Sequence, residues 1–364
     1  MHQEFQRSHA QLNWAFLIPP QCGVAACAEG DPGIGKTKTL EALADHANRR
    51  FFSYELSRTQ PEDLQGFPIV ESATDNNGRE QKFMRFVPDE RLWRAEEEKS
   101  ILLLDEVTNV IAPKQAPALN LIQNPPKNSW MFMACNPLES AADGQPLACP
   151  FINRIWYGQW QIDKEAQDYG LQNELNYPPP DVPLVPDDYM RYQPYWGRII
   201  TMYLQYFPQE RNQCPTERKA KHKPWPSSRQ WHNLSKVLAA ASAVGANTET
   251  QSELVKGLIG EVAGPQFSEW LMTLDWPSPR SILDDPTLID GYDRYDVLFA
   301  LLTAIVNYVA NQKKHYDVNY YEESCALAAY VEMSNAELAH MLRSALREIF
   351  PQETLEQDKK RIAT

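Results

Sequence analysis

Short, almost wholly apolar runs punctuate the first half of the chain. Gly23-Val24-Ala25-Ala26-Cys27-Ala28, Phe51–Leu56, Ile101–Leu104 and Trp130–Cys135 each read as a buried strand. Between the first two, Leu40, Leu43, Ala44 and Ala47 recur at helical spacing, which predicts an amphipathic helix over Thr37–Asn48. A further helix is expected over Gln115–Gln123, with Pro117 tolerable only in its first turn. Residues 57–99 are polar. Within them, Asn76-Asn77-Gly78 separates Ile69-Val70 from Phe83–Val87, the pattern of a β-hairpin inside a longer excursion. Residues 1–20 are a lead-in of mixed character. Four apolar strands separated by helical segments predict an α/β layer built on a parallel sheet.

The second half changes character. Five prolines crowd Tyr177–Asp188, and residues 177–186 read as a stiff linker. Beyond it the spacing is helical over Ile199–Phe207, Gln230–Val244, Leu254–Val262, Val297–Val309, Tyr320–Val331 and Ala336–Ile349. The expected organisation is an α/β core over 1–176, with an excursion at 57–99, then an α-helical unit over 187–364. A chain of 364 residues also exceeds what a single hydrophobic core serves.

Composition narrows the function. There are 35 basic and 48 acidic residues, a net charge of −13, which argues against coating nucleic acid or an anionic membrane. Met1–Arg7 carries no apolar signal core, and the longest apolar run, Val297–Val306, falls short of the ~20 residues a span needs. A soluble, cytoplasmic protein is expected. Its cysteines form no C-x-x-C pair and its histidines no ligand spacing, so free buried thiols are expected and a metal cage is not.

The candidate chemistry lies in the turns after the strands. Gly30-Asp31-Pro32-Gly33-Ile34-Gly35-Lys36-Thr37 matches G-x-x-x-x-G-K-[ST], between a strand and a helix. Glycines let backbone amides converge on phosphate, and the helix N-terminus adds partial positive charge. Lys36 is placed to reach the β- and γ-phosphates of a nucleotide, and Thr37 to ligate Mg2+. Ile101–Leu104 carries Asp105 and Glu106 to a sheet edge, where Asp105 can hold Mg2+ and Glu106 can polarise a water. Asn136, ending the fourth strand, offers an amide to position that water.

Together these residues resemble an AAA+ ATPase, with Gly30–Thr37 as Walker A, Leu102–Glu106 as Walker B and Asn136 as sensor 1. Gln60-Pro61-Glu62-Asp63-Leu64-Gln65-Gly66-Phe67-Pro68 and Phe86-Val87-Pro88-Asp89 resemble the MoxR-type branch associated with von Willebrand factor A domain proteins, with the 69–87 hairpin as its helix-2 insert. The resemblance implies a P-loop AAA+ core with an α-helical lid and extension, a homo-hexameric ring, and chaperone-like remodelling of a client. It also implies a separate von Willebrand factor A domain partner. Phe151-Ile152-Asn153-Arg154-Ile155 is similar to the family's arginine-finger segment, which makes Arg154 the residue supplied to a neighbour's ATP. Arg229, in Pro226-Ser227-Ser228-Arg229, resembles sensor 2; Arg280 is the weaker match. The Arg usually found after the Walker B acids is absent from Val107-Thr108-Asn109-Val110. A nucleic-acid motor is the alternative: the basic cluster Arg218–Lys223 favours it and the acidic balance opposes it.

Overall fold

The structure, a computed structural model, describes residues 14–74, 76, 78–137, 145–160, 164–174, 176, 183–216, 222–274, 276–312 and 320–351. Most of the 177–186 linker, residues 218–221 of the basic cluster and the charged C-terminal run lie outside them. No helix among the described residues is long and apolar enough to cross a membrane.

A helix, α1, covers residues 14–21. After it come β1 (Ala26–Glu29), α2 (Lys36–His46), β2 (Arg50–Glu55) and α3 (Pro61–Gln65). The hairpin β3 (Phe67–Thr74) and β4 (Glu80–Val87) leads to α4 (Glu90–Glu97), β5 (Ser100–Asp105), α5 (Ala112–Gln123), β6 (Ser129–Cys135), α6 (Cys149–Ile152) and β7 (Trp156–Gln159). The main sheet has the order β2-β5-β6-β1-β7, and every pairing in it is parallel.

Both faces of this sheet are buried, which explains why its strands read as continuous apolar runs rather than alternating ones. Leu102, Leu104, Met131, Met133 and Cys27 pack with Ala118, Leu121 and Ile122 of α5 and Leu64 of α3. The alternate residues Ile101, Leu103, Ala26 and Phe132 are equally buried, and the Phe132 ring meets Phe16 of α1 edge-on at 5.0 Å. The mixed character of residues 14–20 therefore conceals a helix. A fifth strand, β7, joins the four expected. It has four residues at the sheet edge, paired only with β1, and is too short to show a period.

Pro117 lies in the second turn of α5, not the first. A proline there removes one ladder bond, and burial of Ala118, Leu121 and Ile122 holds the helix regardless. The β3–β4 hairpin pairs Phe67 with Val87 through Thr74 with Glu80 and projects both faces to solvent, leaving Val70, Met84 and Phe86 largely exposed.

The remaining helices are α7 (Lys164–Gln172), α8 (Gln193–Tyr206), α9 (Ser228–Ala243), α10 (Thr248–Met272), α11 (Pro279–Asp284), α12 (Tyr295–Gln312), α13 (Tyr320–Glu332) and α14 (Ala336–Ile349). The chain separates into two compact units. One is Met1–Pro186 with Gln209–Ser268; the other is Asp187–Pro208 with Glu269–Thr364. The division is thus discontinuous, whereas composition suggested one break at 177–186. In the first unit α9 and the start of α10 join the sheet: Trp225 enters its core, and the Trp156 indole donates to the Glu253 carbonyl at 3.3 Å. Gly260 (φ 92°) interrupts α10, and a Cβ there would lie 2.3 Å from the Pro224 carbonyl oxygen. The second unit is helical, its core formed by Leu302 and Ile305 of α12, Leu327 of α13, and Leu338 and Leu342 of α14.

Candidate active site

Because β6 lies between β1 and β5, the turns leaving these three strands emerge side by side. They bring Gly30–Thr37, Asn136 and Asp105-Glu106 to one edge, around an open cavity of about 260 Å³. Lys36, Thr37, Lys38, Asp105, Glu106 and Asn136 all line it, with Pro32–Gly35 closing one side.

The loop's shape depends on its glycines. Gly33 (φ 80°) and Gly35 (φ 83°) adopt the left-handed conformation that other residues enter only at a cost. Gly35 is the N-cap of α2, and no side chain caps that end. The first-turn amides of α2 are thus available to an anion in the cavity. Gly30 is required for space: a Cβ there would come within 2.8 Å of Ile34 Cδ1 and 3.0 Å of Trp160 Cβ. Trp160 braces the loop from outside, its backbone N–H donating to Glu29 O at 2.7 Å and its indole N–H to Ile34 O at 3.3 Å.

The charged groups interlock. The Lys36 ammonium donates to Gly30 O (2.6 Å), Asp31 O (2.9 Å) and Asn136 Oδ1 (3.3 Å). The Thr37 hydroxyl donates to Asp105 Oδ2 at 3.0 Å, and the Glu106 amide to Asp105 Oδ1 at 2.9 Å. Burial lowers the Lys36 pKa, against the pull of Asp105. Burial likewise raises that of Asp105, against the Thr37 hydroxyl, the Glu106 amide and Lys36. Both ionised forms are thus short of solvation, a deficit that a ligand carrying phosphate and a cation would make good.

The residues present fit a magnesium ion. Thr37 and Asp105 supply two hard oxygen donors, and among the described residues no group of three or more His, Cys, Asp or Glu forms a cage. Mg2+ suits such a set, since it keeps waters and takes substrate phosphates alongside one or two protein ligands.

Glu106 sits at φ 57°, an uncommon conformation for a residue with a Cβ. The Ser57 hydroxyl, just beyond β2, lies 2.8 Å from Glu106 Oε2 and 3.0 Å from Glu55 Oε1, and donates to one of them at a time. Neither Ser57 nor Trp160 belongs to a recognisable motif; only strand order brings them to the loop and the acidic tip.

Arg154 and Arg229 do not line the cavity. Arg154 lies in the turn between α6 and β7, with Nη1 donating to Pro150 O at 2.8 Å, and Arg229 lies in the first turn of α9. Burial lowers the Arg154 pKa, and the nearby Arg229 charge lowers it further. Among the described residues neither has an ion-pair partner. Arg280 does, held by Asp284 and by Glu323 at 2.7 Å within the second unit.

The thiols need one correction. Cys22, Cys27 and Cys135 are buried and none of the six cysteines forms a disulfide, but Cys149 and Cys325 are only half-buried and Cys214, beyond a 3-10 turn, is exposed.

Residues 26–138 match the family model of the AAA domain, dynein-related subfamily. The match runs from β1 to just past Asn136, so it contains the phosphate loop, the acidic tip and the amide. No curated protein matches the chain. Among solved structures, the chain is similar to a crystal structure of a candidate ATPase from Cytophaga hutchinsonii, at 16% identity and a TM-score of 0.44, covering 74% of this chain and 96% of that one. The parallel sheet, the matched domain and the helical region that follows make up a P-loop AAA+ core with a helical extension.

Proposed function

We propose that the protein hydrolyses ATP to ADP and phosphate as an AAA+ ATPase of MoxR type, and uses the cycle to remodel or activate a partner protein. The observation that carries this reading is the convergence of Lys36, Thr37, Asp105, Glu106 and Asn136 on one cavity beside an uncapped helix N-terminus. The α2 amides and Lys36 hold the β- and γ-phosphates. Thr37 and Asp105 hold Mg2+, which when bound neutralises charge developing on the phosphoryl oxygens. Glu106 takes a proton from the attacking water, and Asn136 orients that water from the opposite side. Arg154 and Arg229, unpaired and outside the cavity, serve a phosphate group at a subunit junction, in a homo-hexameric ring.

The exposed β3–β4 hairpin is the surface through which turnover acts on a client, and a separate polypeptide carrying a von Willebrand factor A domain is the partner we expect. The test is phosphate release by the full chain with Mg-ATP. Glu106→Gln and Arg154→Ala are each expected to keep only a low, measurable residual turnover alone and to recover turnover when mixed, because a mixed ring regains junctions with both groups intact. Mixtures that stay inactive would show that Arg154 does not act across a junction. Strong stimulation of the wild-type rate by DNA or RNA at physiological salt would replace remodelling with a nucleic-acid role.

A further inference from the structure

We infer that Gln230 is a positioning residue for hydrolysis, clamping the turn that presents Arg154; this rests on the role proposed for Arg154 above. Gln230 lies in the first turn of α9 and is fully buried. Its single side-chain amide donates to two carbonyls, Ile152 O and Ile155 O, each at 3.1 Å. These two residues bracket Asn153 and Arg154, so one NH2 group closes the turn from both ends. Ser227, the N-cap of α9, adds a second strap: its hydroxyl donates to Asn153 Oδ1 at 2.5 Å and accepts from the Gln230 amide N–H at 3.2 Å.

The clamp has work to do because the charges it joins repel. Arg229 is adjacent to Gln230 and lowers the pKa of Arg154, no carboxylate pairs with either among the described residues, and the α9 N-terminus adds further positive potential. Left to electrostatics, the Arg154 turn would move away from α9. The approach to α9 is held as well: His222 Nδ1 lies 2.9 Å from Leu147 O, Lys223 pairs with Glu29 at 3.4 Å, and Trp225 is buried in the core. Glu29 directly precedes Gly30, so the arginine turn and the phosphate loop share one scaffold. A guanidinium stabilises a transition state only when held in place beforehand, and a small displacement costs rate rather than substrate affinity.

The experiment is a double-mutant cycle on the full-length protein, read as phosphate release against ATP concentration. Gln230→Met keeps the side-chain volume and removes both donors. It is expected to lower kcat about tenfold with KM within about twofold of wild type, and to change turnover less than about twofold once Arg154 is already Ala. Asn153→Ala, at a half-buried position, breaks the second strap and should show a smaller fall with the same non-additivity. It stands in if the Met variant does not fold. An equal proportional loss in both backgrounds, unchanged kcat, or a loss confined to KM would overturn the inference, since a merely structural Gln230 would act independently of Arg154. Wild-type turnover in Arg154→Ala alone would instead overturn the reading of the arginine, and the inference with it.

Discussion

Glu106 joins the chemistry to a backbone cost that can be measured. Its φ of 57° is imposed from both sides: Leu56 N–H bonds Asp105 O at 3.0 Å, and Val107 N–H bonds Ala134 O at 3.2 Å. A residue with a Cβ in this region gives up about 1–2 kcal/mol, while glycine gives up nothing. At an ordinary position Ala is more stable than Gly by about 0.4–1 kcal/mol, because glycine loses more freedom on folding. Subtracting the middle of the second range, about 0.7, from the middle of the first, about 1.5, reverses the order here: Glu106→Gly should be more stable than Glu106→Ala by roughly 0.8 kcal/mol. Neither variant keeps the carboxylate or its bond to Ser57, so the comparison isolates the backbone. For a unit of this size the gap corresponds to roughly 1–4 °C in Tm, within reach of thermal unfolding followed by circular dichroism. Both variants should lose hydrolysis by about 100-fold or more, as expected when a general base is removed. An Ala variant at least as stable as the Gly variant would refute the strain argument. Near-normal turnover in both would remove Glu106 from the mechanism.

Further outcomes follow from the same geometry. Lys36→Ala should abolish ATP binding in a fluorescent-nucleotide titration; retained affinity would mean that the loop amides alone hold the phosphates. Gly30→Ala presses a methyl against Ile34 and Trp160, and should cost about 1–3 kcal/mol in denaturant melts while weakening ATP affinity. Asp89 caps α4 through the Arg91 amide (2.9 Å) and accepts the Tyr54 hydroxyl at 2.7 Å, so Asp89→Ala should cost about 2–3 kcal/mol at pH 7. Burial pushes the Asp89 pKa up, but bonds from Arg91 and Tyr54 outweigh it and leave it below the ordinary carboxylate value. Its stabilisation is therefore complete above about pH 4 and lost as pH falls further, so the gap between wild type and Asp89→Asn should close in acid melts. Burial raises the Cys22 thiol to about 12, so thiolate forms there first in the unfolded chain, and stability should fall as pH climbs from about 8.5 toward that value. At pH 8 a thiol reagent should label exposed Cys214 in the native protein and reach Cys22, Cys27 and Cys135 only on unfolding.

The order of strand, glycine loop and helix at 26–46, the apolar strand ending in Asp105-Glu106, and the helices from Ala336 to Ile349 and Tyr320 to Glu332 are all legible in the residues themselves. Each is a local matter, set by runs of side chains at strand or helix spacing and by glycines at the turns, where neighbours in sequence are neighbours in space. Other features were decided only when distant segments met. The edge strand Trp156–Gln159 exists because β1 offers it a partner. The left-handed conformation of Glu106 is held by hydrogen bonds on either side of it, from Leu56 just beyond β2 and to Ala134 of β6, and Ser57 reaches its carboxylate across 49 residues of chain. Gln230 is an ordinary helix residue by sequence, yet it holds carbonyls 75 and 78 residues away. One break between the two units falls at Pro186, where the prolines end, but the return of Gln209–Ser268 to the first unit comes with the packing of Trp225 in that unit's core. Periodicity records which face of an element is buried; what it is buried against, and which polar groups are satisfied there, depends on contacts that no local pattern encodes.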